Sequence, residues 1–389
     1  MGKKEPLALA RCGTCSLVQL THTVDPDVMY KGKYWYRSGV NESMRKALAD
    51  VVEAACAMVK VEEGDVWIDI GANDGTLIDF IPEEFWVRAF DPAFPKPDKG
   101  CLPFDWYQDY FSAEKYLSSW GTIDVLSPKA KVISSIAMFY DLENPGEFVE
   151  GIKRVLHPEG VWVIQMAYLR TMLATNGFDN ICHEHLEYYD LTSLEYLLNK
   201  YDLQVQDVTF NDVNGGSFRV FVTHKGRPLE KVQKGRIFRT FEKEDEDVLD
   251  EALDRFSARV KINREKTIDF IEQRLSQGDQ FWVYGASTKG NTILQYYGLD
   301  SNHIAGAVER SPEKWGLLTV GTGIPIISET AFRNLVTPKR THLFVLPWHF
   351  LDNFLKREAD YLDTGGKFLV PLPYPVVISH RMTQYTMHL

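Results

Sequence analysis

No run of apolar residues in this sequence is long enough to cross a bilayer. The longest, Val161-Trp162-Val163-Ile164 and Leu343-Phe344-Val345-Leu346, are of strand size. An excess of basic charge is missing too. Lys and Arg number 43 against 54 Asp and Glu, a formal net charge of −11, so the chain lacks the surface that neutralises a phosphate backbone, and no nucleic-acid partner is expected. Cysteine is scarce: the five stand at positions 12, 15, 56, 101 and 182 with no regular spacing except Cys12-Gly13-Thr14-Cys15, which rules out a disulfide scaffold. The N-terminal residues contain no apolar core of a secretory signal, and Pro6 stands where a myristoylation signal needs Ser or Thr. Neither export nor membrane attachment is therefore expected, and the chain reads as cytoplasmic, a setting in which Cys12 and Cys15 suggest a metal knuckle before a disulfide. What the sequence does have is 389 residues, 44% hydrophobic and 25% charged, the composition of a soluble globular chain of two or three domains.

Three textures follow one another. Residues 1–45 are short, aromatic and basic, with Tyr30, Tyr34, Trp35 and Tyr36 close together. From Asn41 a helical pattern runs to about Val61, followed by the apolar run Val66-Trp67-Ile68-Asp69-Ile70 and Gly71. Helix, strand, glycine turn and helix are α/β grammar. Further strands are expected at 86–90, 131–135 and 161–164, with helices near 112–119, 145–156 and 191–201. Gln204–Val208 and Ser217–Thr223, joined through Asn214-Gly215-Gly216, are expected to close this doubly wound sheet as an antiparallel pair. Residues 227–278 are highly charged, above all at Glu242-Lys243-Glu244-Asp245-Glu246-Asp247, and read as a solvated helical connector. The α/β pattern then restarts: strands are expected at 280–285, 304–308, 341–346 and 368–371, and a helix at 291–297, giving a second Rossmann-like domain over 279–389.

Four segments carry chemistry. In Asp69-Ile70-Gly71-Ala72-Asn73-Asp74-Gly75 a strand ends in Asp-x-Gly-x-x-x-Gly, a turn that leaves room over Gly71 and Gly75, and Asp91 lies 20 residues after Gly71 at the end of the next strand, where a carboxylate accepts ribose hydroxyls. In Cys182-His183-Glu184-His185-Leu186-Glu187-Tyr188-Tyr189 two His flank a Glu ahead of paired Tyr, so a proton acceptor, a charge partner and phenolic donors share one segment. A His-x-His metal site drawing on Glu184, Glu187 or Asp179 is the alternative for that segment. The third, Asn214-Gly215-Gly216, needs glycine for a hairpin and would also allow close backbone approach to a substrate. The fourth, Tyr284-Gly285-Ala286-Ser287-Thr288-Lys289-Gly290-Asn291-Thr292, has the glycine separation of a P-loop, but Asn291 replaces the Walker lysine. Its Ser287 and Thr288 hydroxyls, the Lys289 charge and helix-start N–H groups suit a diphosphate instead.

These motifs, in this order, resemble the S-adenosylmethionine-dependent C-methyltransferases of nucleotide-activated deoxysugars, and the first resembles motif I of the class I methyltransferases. The resemblance covers nearly the whole chain. It implies an N-terminal zinc-binding piece (1–45), a class I Rossmann-like methyltransferase domain that binds S-adenosylmethionine (46–226), the connector (227–278) and a C-terminal Rossmann-like domain that meets the nucleotide (279–389). The implied reaction removes a proton next to a 4-keto group and methylates the resulting enolate. By the same resemblance His185 is the general base, with Glu184 as its electrostatic partner and His183 beside it. Tyr36 faces the keto oxygen, with Tyr34 as the alternative. Asp69, Gly71, Asn73, Asp74, Gly75 and Asp91 hold the cofactor. Tyr188, Asn214, Gly215, Gly216, Tyr284, Gly285, Ser287, Lys289, Asn291 and Thr292 meet the nucleotide-diphosphate sugar.

Two departures stand out. The family carries two Cys-x-x-Cys pairs, whereas here only Cys12 and Cys15 are in place, and two ligands cannot close a tetrahedral site, so the first piece reads as a remnant. At Met138-Phe139-Tyr140-Asp141 some relatives have an active-site His, and Tyr140 is the nearest equivalent. Methylation of oxygen or nitrogen in another small molecule, or nucleotide-sugar binding without catalysis, are the competing expectations.

Overall fold

The computed structural model describes residues 5–31, 34, 36–98, 104–121 and 127–379. Trp35 and Cys101 lie outside them. The chain divides into two compact units.

The first comprises Leu7–Arg170 and His183–Asp247. Its strands are β1 (Leu9–Arg11), β2 (Val18–Leu20), β3 (Asp65–Ile70), β4 (Phe85–Phe90), β5 (Phe104–Tyr107), β6 (Ala130–Ile136), β7 (Leu156–Ala167), β8 (Glu187–Tyr188), β9 (Leu203–Asn211) and β10 (Ser217–His224). Seven of them form one sheet in the order β5-β4-β3-β6-β7-β10-β9, parallel from β5 to β7, with β10 antiparallel to both β7 and β9. This is the expected doubly wound α/β sheet with its closing antiparallel pair. Side chains alternate across it. Trp67 and Val163 face the helix Glu42–Cys56, which buries Leu48, Val51, Val52 and Ala55, while Ile68, Ile133 and Ile164 face the helices Pro145–Val155 and Leu191–Asn199. Because both faces are covered, the central strands read as unbroken apolar runs, and each Val, Leu or Ile so buried contributes about 1.5–3 kcal/mol. The strands β1, β2 and β8 make a small separate sheet.

Strand order reverses at β3, whose neighbours are β4 on one side and β6 on the other. Ligands of open α/β sheets bind at such a point, outside the carboxyl ends of the strands. Because β10 begins opposite the end of β7, with Ser217 paired to Ala167, the 213–216 hairpin lies on this same edge.

The second unit includes Thr171–Cys182 and the chain from Val248 onward. Its sheet runs β13-β12-β11-β14-β15-β16, built from β11 (Gln280–Tyr284), β12 (Gly306–Glu309), β13 (Ile326–Ser328), β14 (Thr341–Val345), β15 (Lys367–Val370) and β16 (Val376–Ser379). All pairs are parallel except β15 with β16, so this too is a Rossmann-like sheet, with its order reversing at β11. The 171–182 segment is fastened to it by Phe178 against Tyr296 and Tyr297, at ring separations of 5.2 and 5.7 Å, and by Asn176, whose amide donates to the Pro373 carbonyl at 2.7 Å. Of the charged stretch, the helix Lys231–Glu246 packs with the first sheet and the helix Leu249–Ser276 belongs to the second unit. No helix among the described residues is long and apolar enough to cross a membrane.

Candidate active site

After β3 the chain turns through left-handed residues: φ is +71° at Gly71, +53° at Asn73 and +72° at Gly75. A side chain at Gly71 would be strained by that φ and would also meet the Met138 side chain at 2.9 Å. Asp69 is buried below the turn and accepts from the Ser134 hydroxyl at 2.7 Å, while Ser134 in turn accepts from the Trp67 indole at 2.9 Å. The Asn73 N–H donates to Asp91 Oδ2 at 2.7 Å, and the N–H groups of Ala93 and Phe94 donate to Asp91 Oδ1 at 2.8 and 3.0 Å. Burial raises the Asp91 carboxyl above its ordinary range, and these three N–H groups act against the rise. Strand order, turn and carboxylate thus meet at the first sheet's reversal point.

The side chains of Asn73 and Asp74 are engaged elsewhere. Asn73 accepts from the Ser38 N–H at 3.0 Å and donates to the Tyr36 carbonyl at 3.0 Å, and Asp74 accepts from the Gly39 N–H at 2.9 Å. Both clamp the backbone of 36–39 onto the turn. Tyr36 as a residue is 48% exposed, whereas Tyr34 packs on Tyr30 and Phe94 at ring separations of 5.6 and 6.1 Å.

The segment 183–188 lies against the turn 139–141 that follows β6. Tyr140 and His185 are both buried, with ring centroids 4.4 Å apart, and the Leu186 N–H donates to the Tyr140 carbonyl at 2.9 Å. The Tyr188 hydroxyl is turned inward, donating to the His185 carbonyl at 3.0 Å. His183 Nε2 is buried and meets no hydrogen-bond partner among the described residues. Sequence reasoning missed one acid here, Asp141, and offered Glu187 only as a ligand of the alternative metal site. Glu187 is buried, accepts from the Tyr189 hydroxyl at 2.7 Å and is pushed up to about 8 by burial. Asp141 Oδ2 is hydrogen-bonded to the Tyr30 hydroxyl at 3.0 Å. The signal available for Asp141 was its place next to Tyr140.

In the hairpin, φ is +56° at Asn214, +90° at Gly215 and +118° at Gly216, and the Gly216 carbonyl accepts from the Tyr168 N–H at 3.2 Å.

The second unit has its own turn at the reversal point. Gly285, at φ +87°, follows β11, and a side chain there would meet Pro347 at 2.7 Å. Ser287 caps the helix Thr288–Tyr297, accepting from the Gly290 N–H at 3.1 Å. Asn291 and Thr292 sit half-buried on its first turns. Lys289 donates to Asn180 Oδ1 at 2.7 Å. Tyr284 is turned away from this turn, its hydroxyl donating to Glu358 at 2.6 Å within the buried interior. Glu309, at the end of β12, holds the place that Asp91 has in the first sheet; it accepts from the Ala286, Arg310 and Ser311 N–H groups at 3.1, 2.7 and 3.1 Å. An acid closing the strand after a glycine turn was legible and went unread.

Cys12 and Cys15 sit in the turn between β1 and β2, which backbone bonds close: Cys12 N–H to the Leu17 carbonyl at 2.8 Å and Ser16 N–H to the Cys12 carbonyl at 3.0 Å. The N–H groups of Cys15 and Thr14 draw the Cys12 thiol down to about 7, and burial pushes Cys15 up. Among the described residues no grouping of three or more His, Cys, Asp or Glu ligand atoms includes either cysteine. Two sulfurs do not fit a structural zinc, and the turn holds without it.

Residues 40–208 match a family described as methyltransferase domain, and residues 212–373 match the C-methyltransferase C-terminal domain. The chain is similar to the C-methyltransferase NovU of Streptomyces niveus, with 27% identity over 396 residues that span 97% of this chain and 89% of that protein. Solved structures with partial likeness include an S-adenosylmethionine-dependent methyltransferase from Clostridium acetobutylicum ATCC 824, 11% identical over 47% of this chain and 92% of that one with a TM-score of 0.34. Another is 1,6-didemethyltoxoflavin-N1-methyltransferase of Burkholderia thailandensis, 12% identical over 48% and 80% of the two chains with a TM-score of 0.34.

Proposed function

We propose that this chain, which belongs to the S-adenosylmethionine-dependent methyltransferases, methylates carbon next to the keto group of a nucleotide-linked 4-keto-deoxysugar in the cytoplasm, with His185 as base. Support comes first from the packing of His185 against Tyr140 on the segment that follows β6, beside the reversal point where Asp91 and the Gly71–Gly75 turn lie. The name of the Streptomyces relative and the family matched by residues 212–373 add carbon as the methyl acceptor.

The residues present suit the cofactor. Asp91 has acceptor capacity left beside its three N–H bonds, since a carboxylate offers about four lone-pair sites, and the left-handed turn at Gly71 and Gly75 keeps side chains out of the way. Asp69 supports the turn through Ser134, while Asn73 and Asp74 serve it indirectly by tying down 36–39. Bound S-adenosylmethionine supplies an electrophilic methyl on a sulfonium. An imidazole nitrogen of His185 takes the proton from the sugar carbon, and the Glu184 carboxylate favours the imidazolium that forms. The Tyr36 phenol donates to the keto oxygen as it becomes an enolate, stabilising charge that develops only along the reaction. The Asn214–Gly216 hairpin lets backbone approach the sugar. Gly285, Ser287, Lys289, Asn291 and Thr292 receive the diphosphate at the start of the second unit's helix. Tyr140 and His183 shape the base's surroundings.

His185→Gln is expected to lower methyl transfer, and exchange of the carbon-bound proton with solvent, by about 10²–10⁴-fold, with the dissociation constant for S-adenosylhomocysteine unchanged within about two-fold. Isotope exchange, product formation and calorimetry on dTDP-, UDP- and GDP-linked keto-sugars measure this. Methylated product with wild-type turnover in the variant removes His185 from the role of base, and a labelled methyl found on oxygen or nitrogen overturns C-methylation.

A further inference from the structure

Asp141 is an acid at this edge that the reaction above does not use. Its Oδ1 is buried without a hydrogen-bond partner among the described residues, and its Oδ2 meets the Tyr30 hydroxyl at 3.0 Å. Tyr30 arrives from the short helix Pro26–Tyr30, which starts at Asp25, whose carboxylate accepts from the Asp27 N–H at 2.9 Å. The same Tyr30 oxygen lies 3.5 Å from the carbonyl of Glu184. One phenol therefore touches both the 139–141 turn and the segment that carries His185, which are already joined by the Tyr140–His185 ring contact and the Leu186–Tyr140 backbone bond.

A phenol has a single proton, so it cannot donate to both oxygens at once. Both contacts are satisfied when Asp141 is neutral: its O–H donates to the Tyr30 oxygen, and the Tyr30 O–H donates on to the Glu184 carbonyl. Several groups face Asp141. Tyr30 lies on the short helix and Tyr34 just beyond it, Glu184 and Glu187 lie on the 183–188 segment, and Tyr140 is its neighbour in the turn. Burial, then the charges of Glu184 and Glu187, raise the Asp141 carboxyl well above its ordinary value, against the Tyr30 hydrogen bond. An ionised Asp141 would leave its unpartnered oxygen charged and out of water, an arrangement that costs much more than a neutral acid.

We propose that Tyr30 and Asp141 are a positioning pair, a hydrogen-bonded latch from the N-terminal segment through the 139–141 turn to the Glu184 carbonyl that holds the His185 imidazole in place. This rests on His185 being the base. Neither residue needs to touch substrate.

Tyr30→Phe removes one oxygen atom and is expected to lower kcat about 10- to 100-fold, the scale of a small misplacement of a reacting group, with both KM values within about two-fold. Asp141→Leu behaves alike. Asp141→Asn retains a neutral donor, its amide N–H to the Tyr30 oxygen, and is expected to stay within about three-fold of wild type. Deprotonation of Asp141 breaks the latch, so the wild-type rate falls on the alkaline side while Asp141→Asn holds its rate to higher pH. A readout free of substrate accompanies these: the ring signals of His185 in histidine-labelled protein, assigned with His185→Gln, shift in Tyr30→Phe and keep their wild-type positions in Asp141→Asn. Unchanged His185 signals in Tyr30→Phe overturn the latch, as does an Asp141→Asn variant as slow as Asp141→Leu. Signals that shift in Tyr30→Phe while the wild-type protein methylates no keto-sugar uphold the latch and reject the function instead.

Discussion

A carboxylate moved out of water keeps its charge only where hydration is replaced, and what Glu187 gains is the Tyr189 hydroxyl at 2.7 Å. Burial wins, and the carboxyl is pushed up to about 8. The folded state then binds a proton that the unfolded state, with an ordinary carboxyl near 4.5, releases over the window between those values. Stability contributed by the neutral acid is complete at the low end of that window and lost as pH rises through the folded value. Glu187→Gln, neutral at every pH, is expected to gain stability over wild type as pH rises from about 5 to about 9. Urea midpoints at the two ends measure it, and a difference that does not change with pH rejects the assignment. Residues of this kind were hard to foresee. Asp91 was legible because strand, glycine spacing and strand end are local signals. The partners of Asn73 and Asp74, by contrast, are backbone groups of 36–39, far off in sequence, so no spacing rule links them. Tyr284 stood beside a glycine turn in the text, yet strand geometry sends its hydroxyl inward to Glu358.

At the scale of elements, hydrophobic period and glycine turns were enough for most of both sheets, since parallel strands covered on both faces announce themselves as apolar runs. The short edge strands β5, β13 and β16 carry at most three consecutive apolar residues, too few to announce a strand. The charged stretch shows what a charge pattern hides. Within Glu242–Asp247, Glu242, Asp245 and Glu246 are exposed as a solvated face requires, but Glu244 is buried. Its carboxylate accepts from the Leu191 and Thr192 N–H groups at 2.8 and 2.9 Å, the Thr192 hydroxyl at 2.6 Å and the Tyr168 hydroxyl at 2.7 Å. It therefore satisfies the open N–H groups at the start of the helix Leu191–Asn199, beside that helix's own Asp190–Ser193 capping box. Glu244→Ala leaves these donors without an acceptor and is expected to cost about 2–3 kcal/mol. Glu242→Ala on the same helix is expected to stay within about 0.5 kcal/mol. Equal destabilisation by the two in urea unfolding would reject the cap.

The whole molecule repeats one device: a parallel sheet whose order reverses at the strand preceding a left-handed glycine, with an acid closing the neighbouring strand. Asp91 and Glu309 occupy that last position in the two units. Repetition of the scaffold does not require repetition of the ligand. The first turn has a half-used carboxylate beside it, whereas the second starts a ten-residue helix with Ser287 at its cap and Lys289 in its first turn, donors and positive charge suited to an anion. Two ligands of different charge are expected, each read out by mass action, since a ligand at about a hundred times its dissociation constant stabilises by about 2.7 kcal/mol. S-adenosylhomocysteine and a nucleoside diphosphate should each raise the melting temperature by several degrees. Asp91→Ala should abolish the first shift and leave the second, and Lys289→Ala the reverse. A crossed pattern assigns one ligand to each unit. Loss of both shifts in a single variant would instead mean that one site serves both ligands, and the diphosphate would then have to be sought at the edge that carries Asp91.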